Sequence, residues 1–202
     1  VSFKTARYMI AIGMILVFIE NLSLAGLIIQ FIGIYIISEK LNDKKLFYYF
    51  AISLFLFYTV INFFVPQTII SIFKSGDNDS FYSLKSMEYY IYTGIKDHMS
   101  IISLAFFSYI ISLLFERIAY KSLYKRTLNK EFLFVLKLII IKLIILIFSY
   151  ILFAKWVLDG IGFITSIALI IIIVNSVLIL ILKIFEIIGF LNINYIEKEG
   201  IE

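Results

Sequence analysis

Few residues in this chain are of the types that carry chemistry, and they lie far apart. Its single histidine, His98, follows Asp97, a neighbour that could orient the ring. A lone histidine of this kind is read either as a pH sensor or as an ordinary interfacial side chain. No nucleophile or second base accompanies it, so no set of nucleophile, base and orienting group can be assembled. The chain has no cysteine, which removes internal disulfides, thiolate metal sites and iron–sulfur ligation, while leaving the redox compartment open. One histidine cannot supply bis-histidine haem ligation or a multi-histidine metal site. Neither a phosphate-binding glycine loop, nor a zinc motif, nor a paired-carboxylate site is readable. The expectation is a protein that is not an enzyme, with no catalytic residues, no cofactor and no metal.

The remaining chemical candidates are polar residues inside apolar blocks. Lys142 sits in "LIIIKLIILIF". If its helix begins near Lys137, Lys142 lies ~7–8 Å along it. From there it can snorkel to the interface, or it can mark an ion path or a lipid head-group site. Lys155 and Trp156 read as an interfacial anchor pair, a second candidate head-group contact. Gly26, Gln30 and Gly33 share one helix face, where small residues allow close approach and glutamine can bond across. His98, Ala105, Ser112 and Ala119 recur by sevens, flanked by Ser108 and Glu116, and so polar a stripe must face protein or water. Helix packing is one reading of these positions. A solute path lined by Ser108, Ser112, Asn62 and Asn175 is the other.

The elements that must position these residues follow from composition. The chain has 202 residues, 62% hydrophobic and 16% charged, against about a quarter charged in a soluble domain. Blocks such as "LFYYFAISLFLFYTVINFFV" and "FITSIALIIIIVNSVLILIL" are long enough to cross a bilayer. The expected fold is an all-α integral membrane protein, one polytopic domain over residues 1–202.

The stretch "FIENLSLAG" decides the span count. A single helix from Tyr8 to Ile37 would be ~45 Å long against a hydrocarbon core of ~30 Å, and it would hold Glu20 near mid-bilayer. A central acidic residue costs ~2.5–3.5 kcal/mol on the lenient insertion scale. Two short helices, with Glu20 and Asn21 at the surface and Ser23 as the second N-cap, avoid that cost. Further spans are expected over about 46–65, ended by Pro66, then about 99–119, 136–158 and 163–182. Residues 120–131 form a loop and 183–202 a cytoplasmic tail that can continue as an interfacial helix. This makes six transmembrane helices with both termini inside. Twelve basic residues then fall on cytoplasmic segments and four (Lys74, Lys85, Lys96, Lys155) on outer ones, as the positive-inside rule requires. The net charge of +4 reflects this orientation and contact with anionic head groups, not nucleic-acid binding.

The longest polar segment, 74–98, is expected outside. Phe81, Leu84, Ile91 and Ile95 follow helical spacing, and Tyr82, Tyr89, Tyr90 and Tyr92 add amphipathic rings. This reads as a helix on the outer interface between the third and fourth spans, or as a docking face for a partner. Asn78 begins a glycosylation acceptor triplet.

"LSLAGLIIQFIGIYIISEKLNDKKLFYYF" (Leu22–Phe50), "SYIISLLFERIAYKSLYKRTLNKEFLFVLKLIIIKLIILI" (Ser108–Ile147) and "IFEIIGFLNI" (Ile184–Ile193) resemble, over about half the chain, a small archaeal membrane family labelled domain of unknown function nine-nine-six. The shared features are a glycine-containing early helix, an "SE" element with a "DKKLF"-like start to the next span, and a phenylalanine-containing ending. The chain departs from that pattern in its glycine-poor fifth span and its tyrosine-rich loop. The resemblance implies an archaeal plasma membrane, no assigned reaction and no functional residues to transfer.

The leading functional expectation is a non-catalytic accessory or structural subunit, contacting membrane lipids and other membrane subunits. A small homo-oligomeric channel or transporter is the alternative. A lipid-modifying enzyme using Lys142, Glu116 and Arg117 comes third.

Overall fold

The computed structural model describes residues 2–60, 93, 96–159 and 164–193. Among the described residues all regular structure is helical: α1 Phe3–Leu16, α2 Ser23–Lys40, α3 Lys44–Thr59, α4 Met99–Thr127, α5 Lys130–Asp159 and α6 Ile164–Leu191. Four stretches among them are long and apolar enough to cross a membrane: Ser23–Lys40, Met99–Thr127, Lys130–Lys155 and Val174–Leu191. Asn62, Asn78, Phe81, Tyr82, Tyr89, Tyr90 and Tyr92 lie outside the described residues, as does nearly all of the expected outer helix.

The first apolar run is two helices. α1 closes with the Phe18 and Ile19 amides bonded to the Ile15 and Leu16 carbonyls, and a single 3-10 turn at Glu20–Leu22 leads into α2. Ser23 does not cap α2: the N-cap is Leu22 and no side chain caps it. The helices then press together along Ala6, Ile10 and Gly13 of α1 and Gly26, Gln30 and Gly33 of α2. A Cβ on Gly13 would lie 2.6 Å from the Gly26 carbonyl oxygen and 2.8 Å from the Gln30 nitrogen. One on Gly26 would lie 2.7 Å from the Val17 nitrogen, and one on Gly33 2.6 Å from Ile10 Cγ1. At Gly13 and Gly26 the obstruction is backbone, which cannot swing aside. Glycine is therefore what allows this backbone approach, and the gain is dispersion contact.

By packing, the chain forms two compact units. One comprises Val1–Leu54, Leu113–Ile141 and Leu178–Glu202, and the other Phe55–Ser112 and Lys142–Val177. In the first, two turns of similar design set the helix order. After α2, Asn42 takes a left-handed conformation (φ 50°), with its amide on the Glu39 carbonyl and the Asp43 amide on the Ser38 carbonyl. Such a helix ending satisfies carbonyls that α2 would otherwise leave open. Asp43 then caps α3 by accepting from the Leu46 amide, and it also accepts from the Ser122 hydroxyl on α4. After α4, Leu128 is left-handed (φ 52°), and Asn129 caps α5 by accepting from the Glu131 amide. The Asn129 side-chain amide donates to the Gly189 carbonyl of α6 at 3.0 Å. Arg7 on α1 donates to the Ile193 carbonyl just beyond α6. The start of α1, both turns and the end of α6 therefore lie at one end of this unit.

Helix boundaries depart from the sequence reading where charge masks a buried stripe. Residues 120–131 were expected as a loop, yet α4 continues to Thr127 and α5 starts at Lys130. Tyr120 and Leu123 are buried while Lys121 and Lys125 are exposed, so the segment is an amphipathic continuation of the helix. The same effect carries α6 through Leu191, leaving residues 183–191 in the helix and not in a tail.

Two outcomes are expected. Gly13→Ala and Gly26→Ala should each cost ~1–3 kcal/mol, because a helix-favouring methyl here meets backbone. In detergent this reads as an apparent Tm lowered by several degrees, ~2–4 °C per kcal/mol. Leu128 is 69% exposed, so little packing offsets its strained φ. Leu128→Asn should raise the Tm, relieving a left-handed penalty of about 1 kcal/mol.

Candidate functional site

Helical spacing on α4 puts Glu116 on the face that buries Leu113, Ala119, Tyr120 and Leu123. On α6 the same spacing places Glu186 among buried Leu182, Gly189 and Phe190. Lys183, one turn before Glu186, joins the two helices. Its ammonium donates to Glu116 Oε1 at 3.2 Å and to Glu186 Oε2 at 2.6 Å. The side chains are only 14%, 11% and 0% exposed for Lys183, Glu116 and Glu186.

Aromatic rings close one side of this cluster. Tyr120, one turn after Glu116, packs edge-on against Phe50 of α3 at 5.0 Å between centroids, and against Phe132 of α5 at 5.6 Å. Phe190, one turn after Glu186, meets Phe132 at 5.4 Å. A Cβ on Gly189 would lie 2.7 Å from the Phe132 ring, so the missing side chain makes room for that ring. The Tyr120 hydroxyl lies within the electrostatic reach of both carboxylates. It and Glu186 Oε1 are buried without a hydrogen-bond partner.

The energetics are those of ions removed from water. Each buried ion costs several kcal/mol in desolvation, recovered only through close, well-aligned partners. Lys183 provides such contacts at 2.6 and 3.2 Å. One oxygen of Glu186 is thus held by a charge-assisted bond.

The second unit holds a separate polar layer. Lys142 was expected to snorkel or to meet lipid head groups, but it is 3% exposed and its ammonium sits 4.9 Å from the centroid of the Tyr109 ring. A buried ammonium over an aromatic face gains electrostatically from the ring quadrupole. Asn175 donates to Ser149 Oγ on α5 at 3.4 Å, a bond between helices. Ser103 and Tyr150 share a 2.8 Å bond, and Tyr150 stacks on Phe106 at 4.1 Å.

The other sequence candidates are placed as follows. Ser112 is buried and Ser108 half-buried, both in this second unit. Gly26, Gln30 and Gly33 lie against α1 in the first unit, so the structure does not bring them together with Ser112 and Asn175 in one unit. Lys155 is exposed at the far end of α5, and the Trp156 side chain lies outside the described residues. His98 is half-buried just before α4.

Lys183 and Glu186 are the functional candidates that sequence reasoning missed, having been assigned to a tail. A signal was present: apolar residues continue at helical spacing through "ILKIFEIIGFL", with a lysine and a glutamate three apart inside the run. Comparison with protein-family models, with curated proteins and with solved structures finds no match to this chain.

The ionic cluster makes a thermodynamic prediction. Lys183→Met should cost ~3–5 kcal/mol, because it strands a buried carboxylate. Adding Glu186→Gln should recover a large part of that loss, giving strong non-additivity. Thermal unfolding of the two single variants and the double variant in detergent measures the coupling.

Proposed function

We propose that this chain is a multi-pass plasma-membrane protein that passes an ion or small solute through its helix bundle, working as a homo-oligomeric channel or transporter. The observation that carries the reading is the buried Glu116–Lys183–Glu186 cluster. Ionisable groups inside apolar helices are costly, and in membrane bundles they most often mark ion or proton pathways. At that level the exposed faces of the same helices carry Ile118 on α4 and Ile184 and Ile188 on α6, beside the exposed Arg117. The reading adopts six spans with both termini inside. It is supported by the first unit gathering the start of α1, both turns and the end of α6 at one end, where Lys4, Arg7, Lys40, Lys44, Lys45, Lys121, Lys125 and Arg126 also cluster in sequence. At ~21 Å, α1 alone is shorter than a hydrocarbon core, so its span requires local thinning of the bilayer. Membership of the archaeal family that Leu22–Phe50 resembles is part of the same proposal.

A second reading, the accessory subunit, draws on the hairpin. Its outward residues, Tyr8, Ile12 and Ile15 on α1 and Leu24, Ile28, Ile32 and Tyr35 on α2, form exposed apolar faces that suit partner helices as well as lipid.

Two measurements separate the readings. Purified chain in proteoliposomes should support flux that Glu186→Gln reduces at least tenfold, with Ser112→Leu and Asn175→Leu testing the second polar layer. The particle extracted in mild detergent should contain copies of this chain alone. Co-purification of other polypeptides at fixed stoichiometry, with no flux, would establish the accessory subunit instead.

A further inference from the structure

We infer that the exposed face of α4 formed by Arg117, Lys121 and Lys125 binds the head group of an anionic phospholipid. The inference holds for the transport and accessory readings alike, since it requires only that the chain lie in a membrane.

The outward face of α4 changes character along the helix. From Met99 to Phe115 the helix carries no charged residue, and exposed positions there, such as Phe107 and Leu114, suit acyl chains. Glu116 is turned inward to Lys183, so Arg117 is the first charge that α4 presents outward. Lys121 and Lys125 follow at intervals of four, both exposed. Residues four apart on a helix are neighbours, and like charges so placed repel. Successive members rise ~6 Å along the axis. That step is about the depth of one head-group layer, ~5–8 Å.

The repulsion is not answered from within the first unit. Asp43 is taken by Arg126 and Ser122, and Glu116 and Glu186 by Lys183. Glu131 accepts from Asn192, and Glu39 from Tyr35. Among the described residues none of the three cations has an ion-pair partner, although Arg126, beside Lys125, has one. The counter-charge must therefore come from outside these residues.

A lipid phosphodiester supplies it. The Arg117 guanidinium can present two parallel N–H groups to its oxygens, and the Lys121 ammonium adds a point charge one turn along. Leu114 and Ile118, exposed beside Arg117, meet the attached acyl chains, which separates a lipid from free phosphate. A zwitterionic head group brings its own ammonium and gains less from three cations. Arg117 directly follows Glu116, so the bound head group lies at the axial level of the buried ionic cluster.

The test titrates the purified full chain in mild detergent with phosphatidylglycerol, phosphatidylcholine or inorganic phosphate. Native mass spectrometry reads retention and thermal unfolding reads stabilisation. The chain should hold phosphatidylglycerol at least about tenfold more tightly than phosphatidylcholine, and its apparent Tm should rise with the anionic lipid. Arg117→Gln combined with Lys121→Gln should lose at least about tenfold in that affinity, and Arg117→Lys alone should lose less. Both positions are exposed, so the lipid-free Tm of these variants should be unchanged. Lys4→Gln with Lys44→Gln removes the same charge from exposed positions on α1 and α3, and should leave the affinity within about twofold. Equal losses in the two double variants would overturn the inference and leave a diffuse attraction to net charge. Equal retention of the two lipids, or stabilisation by inorganic phosphate as strong as by phosphatidylglycerol, would overturn it as well.

Discussion

Within the first unit, the pairing of Lys183 and Glu186 away from water constrains how α4 meets α6. An ion in an apolar interior cannot be left to solvent, so its partner must be brought by the fold. Here the partners come from two helices distant in sequence, Glu116 on α4 and the Lys183–Glu186 pair on α6. That requirement fixes both register and rotation of one helix against the other. A slip of one residue would turn Glu116 about 100° away from Lys183. The Phe132 ring over Gly189 and the Asn129 bond to the Gly189 carbonyl constrain α6 as well.

The turns serve the same end by other means. Asp43 and Asn129 each cap the helix that follows and use their remaining side-chain atom to bond a third helix, Asp43 to Ser122 and Asn129 to the Gly189 carbonyl. A short polar side chain at a helix start thereby fixes a chain reversal and a tertiary contact together. The left-handed residue before each of them is asparagine in one turn and leucine in the other. Asparagine adopts that conformation readily, and leucine does so under strain. The second turn is held by the Asn129 bonds and by Asn192 donating to Glu131 at 3.0 Å.

Much of this was legible in the residues, and the parts that were not have identifiable causes. The break at "FIENLSLAG" could be read because a charge in a span too long for the bilayer has a calculable penalty. The face formed by Gly26, Gln30 and Gly33 was readable from spacing alone. Its counterpart Gly13 was not, since a single glycine in an apolar run has no periodic neighbour to mark it. The extensions of α4 and α6 were hidden by lysines and arginines that suggested loops. On an amphipathic helix those residues occupy one face while Tyr120, Leu123 and Phe190 are buried on another. Lys142 was legible as unusual but not as buried, because snorkelling and burial over Tyr109 require the same residue at the same depth. The ionic cluster combines residues about 70 positions apart, and no local pattern reports such a pairing.

The two kinds of helix contact in this unit differ in what they allow. The α1–α2 contact is made by backbone pressed on backbone at Gly13 and Gly26, with no side chain whose state could alter it. Its strength is dispersion, which does not respond to pH, potential or solute. The α4–α6 contact includes a bond whose strength depends on the charge of its members. A ligand or proton can shift an equilibrium only by interacting differently with its two states. Within this unit Glu116, Lys183 and Glu186 meet that condition, and the glycine-packed hairpin does not. If helices move during function, the movement should begin between α4 and α6, with α1 and α2 travelling as a rigid pair.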